Sequence, residues 1–384
     1  MRCRIGRSGR LAGFAGRPFL FHVSSNRQPP RSPDIGFVIS QIGRKVKEVK
    51  ESDRRVAPLR RGPFSQHRRR ASGHCGKSLP FDMVAGRPYL FVRTKARRKG
   101  DEMNVRQPVF AYQGWYPASA KECEQVLEEF LRVEPEATGS RGGIVPHAGW
   151  VFSGACAGRT FAALAGRRPE VIFLFGGHMH PSSRPACMVE GAFGTPIGPV
   201  PVHGELAAEF ADRFDCRREY PHDFEPDNTI ELQMPFIRKL WPDVPVVAAQ
   251  VPPSQTALDA GRWAAERSSE LGLDAIAIGS TDLTHYGPNY GFMPHGLGAE
   301  AHRWSKEEND RPFIERICRL EAEGAIDHAL RNHSACCPGA AAAATEFART
   351  KGAAGGTLLQ HTTSAEAEPS RDFSMWVGYA AVVF

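Results

Sequence analysis

Val171-Ile172-Phe173-Leu174-Phe175-Gly176-Gly177-His178-Met179-His180 is the stretch on which the fold turns. Its apolar run is too short for a helix and lacks the alternation of a strand with one wet face. It reads as a strand buried on both sides, closed by a glycine pair and followed by histidines. The pattern occurs twice more. Gly142-Gly143-Ile144-Val145 leads into Pro146-His147-Ala148-Gly149, and Ala275-Ile276-Ala277-Ile278-Gly279 leads into Ser280-Thr281-Asp282-Leu283-Thr284-His285-Tyr286-Gly287. With helical stretches between such runs, the expected fold class is α/β: a mostly parallel central sheet with helices on both faces. Ligands of such sheets bind just past the carboxyl ends of the strands, so the three histidine clusters should meet on one sheet edge.

Outward from these runs, Ser119 predicts an N-cap for a helix over 120–132. Further helices are expected over 154–165, 205–214, 232–241 (disturbed by Pro235), 255–271, 299–320, 324–331 and 338–349. A strand is expected over 244–251, and two β-rich runs, 356–363 and 375–384, close the chain. The stretch containing Gly191, Gly194, Pro196, Gly198, Pro199 and Pro201 reads as irregular.

Charge divides the chain. Residues 1–100 carry 25 Lys and Arg against 5 Asp and Glu, while the remaining 284 carry 24 against 37, so the net +7 comes from the first hundred residues. Residues 1–102 lack helical or strand periodicity and contain Arg68-Arg69-Arg70 and Arg97-Arg98-Lys99, a composition that rarely packs a core. The reading favoured for them is translation assigned from too far upstream, with Met103 the true start. A disordered basic arm that binds nucleic acid or an anionic surface is one alternative, and a targeting peptide the other. Residues 103–384 are expected to form one α/β domain. No run approaches the ~18 apolar residues of a membrane span. The nine cysteines show no C-x-x-C pair or regular spacing, which argues against a disulfide framework or zinc ribbon and for a reducing, cytoplasmic setting.

Among chemistry-bearing residues, His147 lies between small neighbours at a strand end, where a metal or substrate can approach. His178 and His180 form H-x-H, in which two ligands, or one ligand and one helper, are possible. Asp282 and His285, three apart, can form an oriented acid–base pair, although Asp282 could equally cap a turn. Asp227 and Glu231 stand at a helix start, where capping explains them as well as catalysis does. Cys336 and Cys337 precede Pro338-Gly339 and an alanine-rich helix, where a thiol pKa is lowered. Two histidines and an anionic ligand with open positions resemble the facial triad of non-haem iron, and with a thiolate as third ligand zinc or copper is also acceptable.

Taken together, these motifs resemble the Memo family, known in bacteria and archaea as AmmeMemoRadiSam system protein B. The resemblance runs from about Arg106 to Phe384. It is carried by Arg106-x-Pro108, Gly114-Trp115-Tyr116-Pro117, Pro146-His147-Ala148-Gly149-Trp150 with Ser153-Gly154, and Gly177-His178. Further matches are Asn228-Thr229-Ile230-Glu231-Leu232-Gln233-Met234-Pro235-Phe236, Ser280 to Gly287, and Ala335-Cys336 before Pro338-Gly339-Ala340. It implies a fold similar to the class III extradiol dioxygenases, with His147, His178 and Cys336 at the positions of the metal ligands and Asp282 and His285 lining the same pocket. Cysteine replaces the glutamate of true extradiol dioxygenases, so catechol cleavage does not carry over. Association with a radical-SAM protein and an AMMECR-type protein is also implied. Two positions depart from the family pattern: Asp227-Asn228-Thr229 replaces Glu-His-Ser, and Cys336-Cys337 replaces Cys-Gly.

The function expected is therefore a metal-dependent redox protein, with Fe(II) the expected cofactor and copper or zinc possible. His147, His178 and Cys336 would bind the metal, His285 and Asp282 would handle protons, and the small-molecule substrate is unknown. The alternative is a non-catalytic metal-binding or partner-binding module. A zinc hydrolase with Asp282 or Glu231 as base ranks last, since no H-E-x-x-H motif is present.

Overall fold

Twelve strands are formed among the described residues of the computed structural model, which are 104–133, 140–223, 225–368 and 373–384. In chain order they are β1 (Val105–Arg106), β2 (Gly142–Val145), β3 (Val171–Gly176), β4 (Ala186–Met188), β5 (Ala192–Phe193), β6 (Val200–Pro201), β7 (Arg217–Glu219), β8 (Val246–Gln250), β9 (Ala275–Ser280), β10 (His285–Tyr286), β11 (Thr357–Thr363) and β12 (Trp376–Val383). The basic stretch 1–102, with the readings attached to it, lies outside the described residues.

Nine strands make one sheet in the order β10-β12-β2-β9-β3-β8-β4-β7, with β11 paired to β12; β1, β5 and β6 make a small second sheet. The heart of the large sheet, β2-β9-β3-β8, is parallel throughout. Every residue of β2, β3 and β9 is buried, as apolar runs without alternation require. The flanks mix directions: β12 runs antiparallel to β2, and β4 antiparallel to β8. The fold is thus α/β with a parallel centre and a mixed periphery.

Two apolar layers cover the sheet. On one side Phe173 and Phe175 of β3 pack with Phe210, Phe313, Phe347 and the alanine-rich helix Pro338–Thr350. On the other, Ile172 and Leu174 pack with Phe161, Phe236 and Trp150. Alternate residues of β3 therefore feed opposite layers, as the strand period demands. Helix Pro338–Thr350 lies close on the sheet because its neighbour is Gly279: a Cβ there would come within 2.6 Å of the Ala340 carbonyl oxygen. This approach brings the residues preceding the helix, Cys336 and Cys337, to the carboxyl end of β9.

Three expectations need correction. The helix placed at 154–165 begins earlier, at Trp150, and runs to Leu164 with Gly149 at its N-cap. The helix placed at 232–241 is two pieces, Asn228–Glu231 and Met234–Leu240; Pro235 sits in the first turn of the second, where its missing N–H costs no hydrogen bond. The stretch 299–320 is not one α-helix. A π segment, Ser305–Asp310, separates Ala299–Trp304 from Arg311–Cys318.

Candidate metal centre

β2, β9 and β3 are neighbours, so the loops that follow them lie side by side. His147 follows β2, His178 follows β3, and Asp282 follows β9. His147 and His178 pack edge to face with ring centroids 5.0 Å apart. Cys336 arrives from the start of its helix, held by Cys336 N–H donating to the Asp282 carbonyl at 3.1 Å. Its Sγ lies 3.2 Å from His147 Nε2. The donor atoms of His147, His178, Cys336 and Cys337 all fall within 4.8 Å of one another, a group that could hold a metal ion.

Each loop that contributes to this group is braced. The Asp282 carboxylate accepts the His147 backbone N–H at 2.7 Å. His147 Nδ1 pairs with Ser280 Oγ at 3.0 Å, which fixes the ring and leaves Nε2 facing the cluster. Gln233 Nε2 donates to the Pro146 carbonyl at 3.0 Å and to Ser280 Oγ at 3.3 Å. Asn228, where the family resemblance leads one to expect histidine, donates from Nδ2 to the His147 carbonyl at 3.2 Å. Thr229 Oγ1 accepts the Gly177 N–H at 2.8 Å and so anchors the loop that bears His178. Gly177 has φ of +99°, and a Cβ on it would sit 2.7 Å from Gln250 Cβ, so only glycine fits that turn.

The electrostatics of the group follow from its burial and its neighbours. Burial pulls the His147 imidazolium down, but the Asp282 carboxylate and the Cys336 sulfur outweigh it and push its pKa up to about 9. Burial acts to raise the Cys336 thiol, yet the Cys337 thiol and the His147 ring hold it well below its usual range. These directions favour negative charge on the Cys336 sulfur beside the His147 ring. A thiol must be deprotonated to ligate a metal, and this arrangement favours that form. Asp282 N–H also points to the same sulfur at 3.3 Å.

Asp282 Oδ2 lies 3.9 Å from both His147 Nε2 and His285 Nε2, an ion-pair separation rather than a hydrogen bond. His285 Nε2 is buried without a hydrogen-bond partner. Burial lowers the His285 imidazolium, and Asp282 with Cys336 raises it by more, so the net direction is up. Behind this pair the π segment presents Asn309 and Asp310 to Thr284: Thr284 N–H and hydroxyl donate to Asp310 Oδ1, and Asn309 Nδ2 donates to Thr284 Oγ1 at 2.9 Å.

Other candidates resolve differently. His180 is not in the cluster; its Nδ1 pairs with Ser182 Oγ at 2.8 Å, so H-x-H contributes one histidine. Asp227 caps its short helix, accepting the N–H and hydroxyl of Thr229. Glu231 is fully engaged: its carboxylate accepts the backbone N–H groups of Val109, Phe110 and Ala111 and the Tyr116 hydroxyl. That commits both of its oxygens to holding the N-terminal segment. The bracing residues Ser280 and Gln233 lie within quoted motifs, but nothing in their spacing signals the role.

The Memo-like protein family profile matches residues 106–383, nearly all of the described chain. The chain belongs to the Memo-like family. Among curated Memo relatives, the MEMO1 family protein TK1477 of Thermococcus kodakarensis is 35% identical over 298 residues, covering 73% of this chain and 99% of that protein. PF1638 of Pyrococcus furiosus is 33% identical, covering 73% and 98%, and MK0963 of Methanopyrus kandleri is likewise 33% identical over 73% and 98%. Among solved structures, the uncharacterized protein JW3007 from Escherichia coli K12 aligns with a TM-score of 0.37 at 12% identity, covering 59% of this chain and 91% of that chain. No helix of the described Memo chain is long and apolar enough to cross a membrane.

Proposed function

We propose that this Memo-family chain is a metal-dependent redox protein in which His147, His178 and Cys336 hold one iron(II), or copper, ion. The observation that carries the reading is the meeting of His147 Nε2 and Cys336 Sγ at 3.2 Å. Nitrogen and sulfur donors on one ion, with bonds of about 2.0 and 2.3 Å, stand roughly 3.1–3.6 Å apart. The donor set therefore fits a borderline or soft cation. When bound, such an ion supplies one-electron chemistry and a place for dioxygen or a small substrate.

The chain's own residues supply the rest. Ser280 keeps His147 turned with Nε2 inward, and Asn228 and Gln233 hold the backbone on either side of that ring. Asp282 fixes the His147 loop through its N–H. His285, with Nε2 free of hydrogen bonds and Asp282 nearby, holds a proton at that atom and passes it to or from a bound small molecule.

Oxygen uptake by anaerobically iron-loaded protein, assayed with catechols and thiols, tests the activity. Wild type should consume oxygen above buffer, His285→Gln should slow uptake by ~10²-fold or more while retaining iron, and Cys336→Ala should abolish it. Equal uptake by wild type and Cys336→Ala would refute the reading.

A further inference from the structure

We propose that Cys337 is a fourth donor to the same ion, making the site of this chain a two-imidazole, two-thiolate set for a soft or borderline cation such as iron(II) or copper. The inference rests on the reading of the cluster as a metal centre and deepens it by fixing the donor number and class of ion.

Distance carries the argument first. The Sγ atoms of Cys336 and Cys337 are 3.6 Å apart. That is far beyond the ~2.05 Å of a disulfide. It is close to the ~3.8 Å that separates two thiolates on one tetrahedral ion with bonds of about 2.3 Å. Both cysteines are free thiols.

Direction is the second observation. The segment is pinned at both residues, Cys336 N–H to the Asp282 carbonyl at 3.1 Å and Cys337 N–H to Thr281 Oγ1 at 3.0 Å, and Cys337 leaves the strand conformation with φ of −127° and ψ of 59°. As a result the Cys337 sulfur stands with the donors of His147, His178 and Cys336 inside the 4.8 Å group, although the residue is only 1% exposed.

Donor chemistry is the third. One thiolate with two imidazoles leaves a divalent ion open to solvent or substrate, as suits iron. A second thiolate adds a soft, anionic donor, which strengthens the hold on a soft or borderline cation, and a six-coordinate iron(II) with four protein donors still keeps two positions for a small molecule.

The test uses cobalt(II) as a spectroscopic probe in the full, reduced chain. Wild type should show a thiolate-to-cobalt charge-transfer band that falls to roughly half per bound cobalt in Cys337→Ala and Cys337→Ser, as two sulfur–cobalt bonds become one. Zinc affinity, read by competition with a chromophoric chelator, should weaken by ~10-fold or more in both variants. Cys337→Ser stays close in shape and Cys337→Ala is smaller, so thermal unfolding of both variants, read beside the metal measurements, separates a packing loss from a lost donor. If both keep the wild-type band and affinity while Cys336→Ala loses them, Cys337 is only packed beside a three-donor centre and this inference is overturned alone. If reduced wild type shows no thiolate–cobalt band at all, the metal-centre reading falls with it.

Discussion

Two carboxylates, the half-buried Glu231 and the buried Asp282, differ in what their oxygens hold. Glu231 has both oxygens occupied, by three backbone N–H groups and the Tyr116 hydroxyl at 2.7 to 3.3 Å. Burial lifts its carboxyl above the usual range even against those donors. Asp282 commits Oδ1 to the His147 N–H and leaves Oδ2 at 3.9 Å from two imidazoles, one of which has no partner at Nε2. A carboxylate with both oxygens engaged by backbone and hydroxyl donors holds the fold together. One with an oxygen left beside the Cys336 sulfur and two histidines is available to a ligand or a proton. Both carboxylates are candidates in the sequence, and only their partners separate them.

The largest effect that could break this contrast is on stability. Glu231→Ala strands three backbone N–H groups and a hydroxyl, each costing about 1–3 kcal/mol, so the loss should be ~3 kcal/mol or more in urea unfolding. Metal bound per folded molecule should not change. A stable Glu231→Ala that has lost its metal would reverse the roles assigned to the two carboxylates.

Asp282 should give the smaller structural and larger chemical response. Asp282→Ala leaves the His147 N–H without an acceptor and should cost about 1–3 kcal/mol. Asp282→Asn keeps an oxygen for that N–H, so thermal unfolding should place it near wild type while oxygen uptake falls. Equal stability losses in the two variants would show that Oδ2, not Oδ1, does the holding.

His302 sharpens the contrast at the weak end. It is buried, with Nε2 paired to Thr363 Oγ1 at 2.8 Å, and burial lowers its pKa despite Glu366 nearby. Because the folded form binds the proton less readily than the unfolded chain, this contribution is complete above the unfolded value of about 6.5 and is lost as pH falls below it. His302→Gln should flatten that part of the stability–pH curve, measured by denaturant unfolding from pH 7.5 to 5, without altering metal content. A slope unchanged by the substitution would assign it to another group.

Much of this was legible beforehand because the information was local. The apolar runs of β2, β3 and β9 have no alternation, and together with the helical stretches between them that marks buried parallel strands. Ser119 caps its helix as expected, accepting the Glu122 N–H. Hidden features depend on residues distant in sequence. β10 is two residues that pair with β12, a pairing invisible until the chain closes. The π segment owes its place to Asn309 and Asp310 meeting Thr284, some 25 residues earlier. His147 and Cys336, 189 residues apart, could be joined in advance only through family resemblance, and the same resemblance gave no role to Cys337 or Gln233. Glu231 was ambiguous for the same reason: its partners lie about 120 residues away.

The central claim is that His147, His178 and Cys336 grip one ion. Metal analysis of anaerobically purified protein tests it most directly, with wild type compared against Cys336→Ala and Glu231→Ala. Wild type and the folded fraction of Glu231→Ala should each carry about one equivalent, and Cys336→Ala should carry little. Equal, substoichiometric metal in wild type and Cys336→Ala would contradict the account.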